Sequence, residues 1–167
     1  IRDQEGDRLT SAISQRLSYT DLDSIIFPNE GTRAWFDTEL AGLGGDAKYI
    51  SGRVGSQYFY PITDNANISF LGELGAITGI AGEDAQINER FYLGGNTLRG
   101  FESAGIGPRD ITTDDALGGN YFYRGSVEGS FPIGLPEELG VKGHLFTDFG
   151  SLIEPGDETG PEIADSG

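Results

Sequence analysis

Covalent chemistry has little to work with in this chain. It holds no cysteine and a single histidine, His144. That excludes disulfides, thiolate metal sites and cysteine nucleophiles, and leaves neither a Ser-His-Asp triad nor a multi-histidine zinc site within easy reach. His144 itself reads as a wall residue rather than a ligand or a base. Gly94-Gly95-Asn96 lacks the Gly-Lys-Ser/Thr continuation and the helix start that a phosphate-cradling loop needs. The acidic pairs Asp114-Asp115 and Asp157-Glu158 lack the alternating ligands and central glycine of a calcium loop. No catalytic residue, metal or cofactor is therefore assigned, and the chain is not expected to be an enzyme. Eleven Lys+Arg against 27 Asp+Glu give a net charge of −16. That is the wrong sign for a nucleic-acid partner bound through its phosphates.

The residues left to explain lie in a long segment, about 79–117, with the run Glu89-Arg90-Phe91-Tyr92-Leu93-Gly94-Gly95-Asn96-Thr97-Leu98-Arg99-Gly100-Phe101 at its centre. A connection of about forty residues without regular structure normally has a task. Gly94, Gly95, Asn96 and Gly100 allow the backbone to double back on itself, and Phe101 is the expected anchor of the loop tip.

Positioning this loop falls to six alternating stretches, about 8–19, 32–41, 47–60, 67–78, 118–131 and 141–150, which read as strands of an all-β chain. The first sets Leu9, Ile13, Leu17 and Tyr19 against Arg8, Thr10, Ser14 and Arg16. The fifth sets Tyr121, Tyr123, Val127 and Phe131 against Arg124, Ser126 and Glu128, and the sixth sets Val141, Leu145 and Phe149 against Lys142, His144 and Asp148. Charges fall on one face of every stretch. Such alternation over nine or more residues suits a lipid-facing wall around a wet lumen, although a soluble β-sandwich with one solvated face alternates in the same way. No apolar run approaches the length of a transmembrane helix, and strands that cross a membrane leave a much weaker hydropathy signal.

The connections favour the wall. Phe27-Pro28, Tyr60-Pro61 and Phe131-Pro132 close the first, third and fifth strands, each followed by a compact link, whereas the opposite edge carries 42–47, the long loop and an acidic tail. Short turns on one side, long loops on the other and aromatic rings at strand ends make the layout of an outer-membrane barrel. With no methionine and Ile1 in first place, the chain is expected to be a section of a longer protein.

Three motifs then carry a family resemblance. Phe91 to Phe101 with Ile106-Gly107-Pro108-Arg109 closely resembles the sixth extracellular loop of the BamA family of outer-membrane assembly barrels, whose signature is Val-Arg-Gly-Phe; here Leu98 replaces the commoner valine. Asp115-Ala116-Leu117-Gly118-Gly119-Asn120 resembles the start of the strand that follows. Leu145-Phe146-Thr147-Asp148-Phe149-Gly150 fits the family's aromatic-x-Asp-x-Gly motif.

The resemblance implies an incomplete transmembrane β-barrel, about strands eight to thirteen of sixteen, with the POTRA domains and the first and last strands absent. It implies a parent in the outer membrane of a Gram-negative bacterium that folds and inserts β-barrel proteins. Its partners would be outer-membrane lipid, unfolded β-barrel clients and accessory assembly lipoproteins. It also implies that Arg99 reaches Glu128 and Asp148, both on the charged face, and so locks the loop to the inner wall. A section with two open strand edges is expected to self-associate. A two-partner secretion transporter of the same superfamily and a passive pore are the membrane alternatives.

Overall fold

In the computed structural model, which describes residues 9–42, 44–134, 139 and 141–154, the chain forms one antiparallel sheet. Six strands follow each other in chain order: β1 Ala12–Leu22, β2 Gly31–Ala41, β3 Tyr49–Thr63, β4 Ala66–Gly79, β5 Tyr121–Pro132 and β6 Lys142–Ile153. Each is 11 to 15 residues long, enough to cross a bilayer at a tilt.

Several bounds differ from the periodicity. The proposed start at Arg8 lies outside the described residues, as does the acidic pair Asp157-Glu158. Leu9 continues the alternation but pairs elsewhere: its carbonyl accepts from the Asp46 N–H at 2.7 Å, and its own N–H donates to the Asp46 carboxylate at 3.1 Å. At the far end β1 runs on through Thr20 and Asp21, which pair with Arg33 and Thr32. Phe27-Pro28 therefore sits in the link beyond β1 rather than at its end. β3 carries Pro61 inside it, opposite Asn67, and the register shifts between Pro61 and Thr63, which accommodates a residue with no N–H to give the ladder. β6 passes Gly150 and buries Leu152.

The two faces are chemically distinct. Row by row across the sheet, Leu17, Phe36, Val54, Leu74 and Tyr123 face each other through the registers of four seams, and all five are exposed. The other face carries Arg16, Asp37, Arg53, Glu73, Arg124, Glu128 and Asp148. Arg16 Nε reaches the Asp37 carboxylate at 2.5 Å. A sheet with an exposed apolar face and a paired polar face is the inverse of a soluble half-sandwich, and it suits lipid outside and water inside.

Four directly opposed aromatic–glycine pairs shape the wall: Trp35 with Gly55, Phe122 with Gly75, Phe149 with Gly125, and Phe131 with Gly143. Each ring lies where a Cβ would stand; one built on Gly55 would fall 2.2 Å from the Trp35 ring, and one on Gly75 2.1 Å from the Phe122 ring. Ring-over-glycine packing recovers apolar contact that glycine lacks and lets the sheet bend at that point.

The core lies between the polar face and the long β4–β5 loop. Ala41, Ala47, Tyr49, Ile77 and Ala85 form one buried cluster, Leu93, Phe122 and Leu152 another. Phe91 touches both, meeting Phe122 edge-on with centroids 4.9 Å apart.

Candidate functional site

The loop between β4 and β5 is folded in its own right. It contains a 3-10 turn at Ile87–Glu89 and three antiparallel bridges, Phe91 with Gly119, Leu93 with Ile106 and Arg109 with Ala116. Gly94 adopts φ +126°, and a Cβ there would fall 2.0 Å from the Glu102 carbonyl oxygen. Only glycine fits. The Thr97 hydroxyl closes the adjacent turn by donating to the Gly94 carbonyl at 2.8 Å, and the Gly95 N–H donates to the Phe101 carbonyl at 3.0 Å. Asn96 is exposed at this turn, and Gly100 takes φ +92° beside Arg99. Further along, Arg109 donates to the carbonyls of Asp114 and Ala104, and its side chain lies 3.4 Å from the Asp114 carboxylate.

This fold delivers Arg99 to the polar face of the sheet. Its backbone N–H donates to Asp148 Oδ2 at 2.9 Å, its Nε to the same oxygen at 2.8 Å, and its Nη2 to Asp148 Oδ1 at 2.8 Å. Nη1 donates to Glu128, and Nη2 also to the Ser126 hydroxyl at 2.9 Å. The guanidinium carbon stands 3.6 Å from the centroid of the Phe146 ring. The planar fork thus serves two carboxylates while its face lies on an aromatic, a combination that lysine has no geometry to reproduce. Asp148 is the better shielded acid, with a side chain 6% exposed against 27% for Glu128. His144 Nδ1 lies 3.0 Å from Glu128, placing it on the inner wall.

Phe101 does not act as the loop anchor expected of it. Its side chain is 52% exposed, and Leu98, two residues before the glycine, takes the buried position at 2%.

Further contacts hold the loop where sequence patterning pointed to no partner. Arg124 of β5 donates through Nη1 to the Thr97 carbonyl at 2.8 Å and through Nε to Glu73 of β4 at 2.5 Å. Arg90 donates to the Ala85 carbonyl and pairs with Glu154 just after β6. The alternation gives Phe146 no place, because an aromatic on the charged face breaks the pattern. The only sequence trace of the Arg124 contact was its place on that face. Among the described residues no group of three or more His, Asp or Glu is arranged to hold a metal.

The fold belongs to a wider group. Residues 1–166 match the Omp85 superfamily domain. The chain belongs to the Omp85 superfamily. Among Omp85 relatives, an outer membrane protein assembly factor BamA of Neorickettsia risticii is 37% identical over 153 residues, covering 91% of this chain and 20% of that protein. A sorting and assembly machinery component 50 homolog of Homo sapiens is 32% identical over 152 residues, covering 87% of this chain and 31% of that protein. The chain therefore spans about a fifth to a third of these relatives' length. The crystal structure of BamA from Haemophilus ducreyi lacking POTRA domains 1-3 superposes with a TM-score of 0.78 at 24% identity, over 86% of this chain and 30% of that one. The Omp85 fold of the six-strand section follows from these comparisons.

Proposed function

We propose that this chain is a section of the barrel wall of an outer-membrane β-barrel assembly protein, which folds and inserts other β-barrel proteins into the Gram-negative outer membrane. Its relatives are named for assembly, in BamA and in the sorting and assembly machinery alike. Within that protein the Leu98-Arg99-Gly100-Phe101 loop is pinned inside the lumen, and its work is mechanical: it holds the barrel in the shape that accepts a client. The observation that carries this reading is the convergence of Arg99 on Asp148, Glu128 and Ser126 with backbone and side chain together. An exposed loop arginine engaged in nothing but solvent would have no such set. No covalent step is required of any residue in the section. The partners that follow are membrane lipid, unfolded β-barrel clients and accessory assembly lipoproteins.

Depletion of the full-length parent in its own cells, with quantification of the outer-membrane proteome, tests the proposal. A joint fall of many unrelated barrels supports it, and Arg99→Ala should reproduce part of that fall. Loss of one secreted protein with other barrels intact replaces it with a dedicated transporter.

A further inference from the structure

The apolar face carries one feature that an evenly studded wall would lack. Ala34, Ser56, Gly72 and Gly125 stand directly opposite one another across four adjacent strands. Ala34, Ser56 and Gly72 leave open the floor of a groove of about 810 Å³ that runs across the strands, and at Gly125 the Phe149 ring lies over the backbone and ends it. On the side of the long loop it is walled by Phe36, Val54, Leu74 and Tyr123, and its ends are closed by Tyr19 on β1 and Phe149 on β6. Both charged residues that touch it, Glu73 and Arg124, pair with each other at 2.5 Å on the opposite face. Nothing on the lipid side of the groove is charged.

We propose that this groove holds one acyl chain of a membrane phospholipid in a fixed position. The inference rests on the reading of this face as lipid-facing, and goes beyond it by assigning one position on that face. In a bilayer the recess is continuous with the hydrocarbon, and water has no access to it. An empty recess would forfeit dispersion contacts along its whole lining, so an apolar occupant is favoured. Between the closing residues Tyr19 and Phe149, the row from Ala34 to Gly125 spans three strand spacings of about 4.8 Å, or about 14 Å. Most of a single acyl chain, which runs about the 15 Å depth of one leaflet, lies along it. The bulk needed to block it is easily added, because a Cβ on Gly72 meets nothing within 4 Å and its backbone is not in the left-handed region.

The test uses the full-length parent purified in mild detergent, with native mass spectrometry counting retained phospholipid. Gly72→Leu and Ala34→Leu fill the floor, and Ala76→Leu adds the same bulk on the same face outside the groove. The wild type and Ala76→Leu are expected to retain one phospholipid. Each floor variant displaces two or more methylenes and should lower occupancy about tenfold or more. Barrel folding is checked by the shift in gel mobility on heating, and either floor variant that folds is decisive. A folded wild type that carries no phospholipid or only detergent overturns the proposal, as does equal retention in a folded floor variant. A parent that fractionates with the outer membrane but fails this test loses the groove alone. A parent absent from that membrane loses the wall reading as well.

Discussion

The two acids that receive Arg99 should be unequal, and the structure says by how much. Asp148 accepts three bonds from Arg99 and is 6% exposed, whereas Glu128 accepts one and is 27% exposed. In Asp148→Asn one oxygen still accepts the backbone N–H, but the other position becomes an NH₂ facing the guanidinium Nη2, and the charge is gone. Breaking a buried pair costs about 3 to 5 kcal/mol. Arg99 is itself 35% exposed, so solvent screening brings the expected cost down to about 2 to 3 kcal/mol. That corresponds to roughly a 30- to 150-fold rise in the open population of the loop. Glu128→Gln, losing a single more exposed contact, should cost about 0.5 to 1 kcal/mol, or roughly two- to fivefold. Hydrogen–deuterium exchange on the full-length parent reads this directly through the amides of Gly95 and Arg99, which close the turn and bind Asp148. Exchange in the loop should accelerate far more in Asp148→Asn than in Glu128→Gln, with the β2–β3 seam unchanged. Equal acceleration, or a larger effect from Glu128→Gln, would refute the reasoning.

Arg124→Ala strips the partner from Glu73, whose side chain is 9% exposed, and should lower stability by about 3 kcal/mol in a urea titration; adding Glu73→Gln should restore part of that loss. Gly55→Ala drives a methyl into the Trp35 ring and is expected to cost about 1 to 3 kcal/mol by the same titration, while Gly52→Ala, whose nearest neighbour would be the Asp37 carbonyl oxygen at 3.8 Å, should leave the midpoint unmoved. In the β1–β2 link, the backbone N–H groups of Glu30, then Asn29 and Ser24, hold the Asp23 carboxyl below its usual range. The stabilisation is therefore present above an unfolded value of about 4 and fades as pH falls through the lower folded value. Exchange at Asn29 and Glu30, corrected for its intrinsic pH dependence, should lose protection below about pH 4 in the wild type, and Asp23→Ala should remove that pH dependence.

Period-two alternation made the strands legible, because each has one face in each medium and a one-residue slip would exchange them. Strand ends were less legible because pairing, not pattern, decides them. Leu9 keeps the alternation yet bonds to Asp46, and Thr20-Asp21 looks like a turn yet completes the β1–β2 ladder. At the site, Arg99, Glu128 and Asp148 announced themselves through motif and face. Phe146, beneath the guanidinium, did not, since an aromatic on a polar face carries no signal until the charge above it is known. Sequence reasoning missed the burial of Leu98 beside an exposed Phe101 for a comparable reason: which side of a tight turn is buried depends on the backbone path, and residue type does not encode it.

The four aromatic–glycine pairs bear on assembly as well as shape. A two-residue slip preserves the face of every side chain, so hydrophobicity gives no warning of it. It would, however, set Trp35 against Arg53 or Gln57 in place of Gly55, since these flank that glycine on the same face of β3. Phe122 would likewise meet Glu73 or Ile77 in place of Gly75, while Phe149 and Phe131 would lose the open slots over Gly125 and Gly143 for neighbours whose side chains leave their rings no room over the backbone. Spread over three seams, these pairs act as keys in slots, rejecting misaligned strands that alternation alone would accept. The wall of a protein proposed to align other proteins' strands thus carries its own proofreading against error.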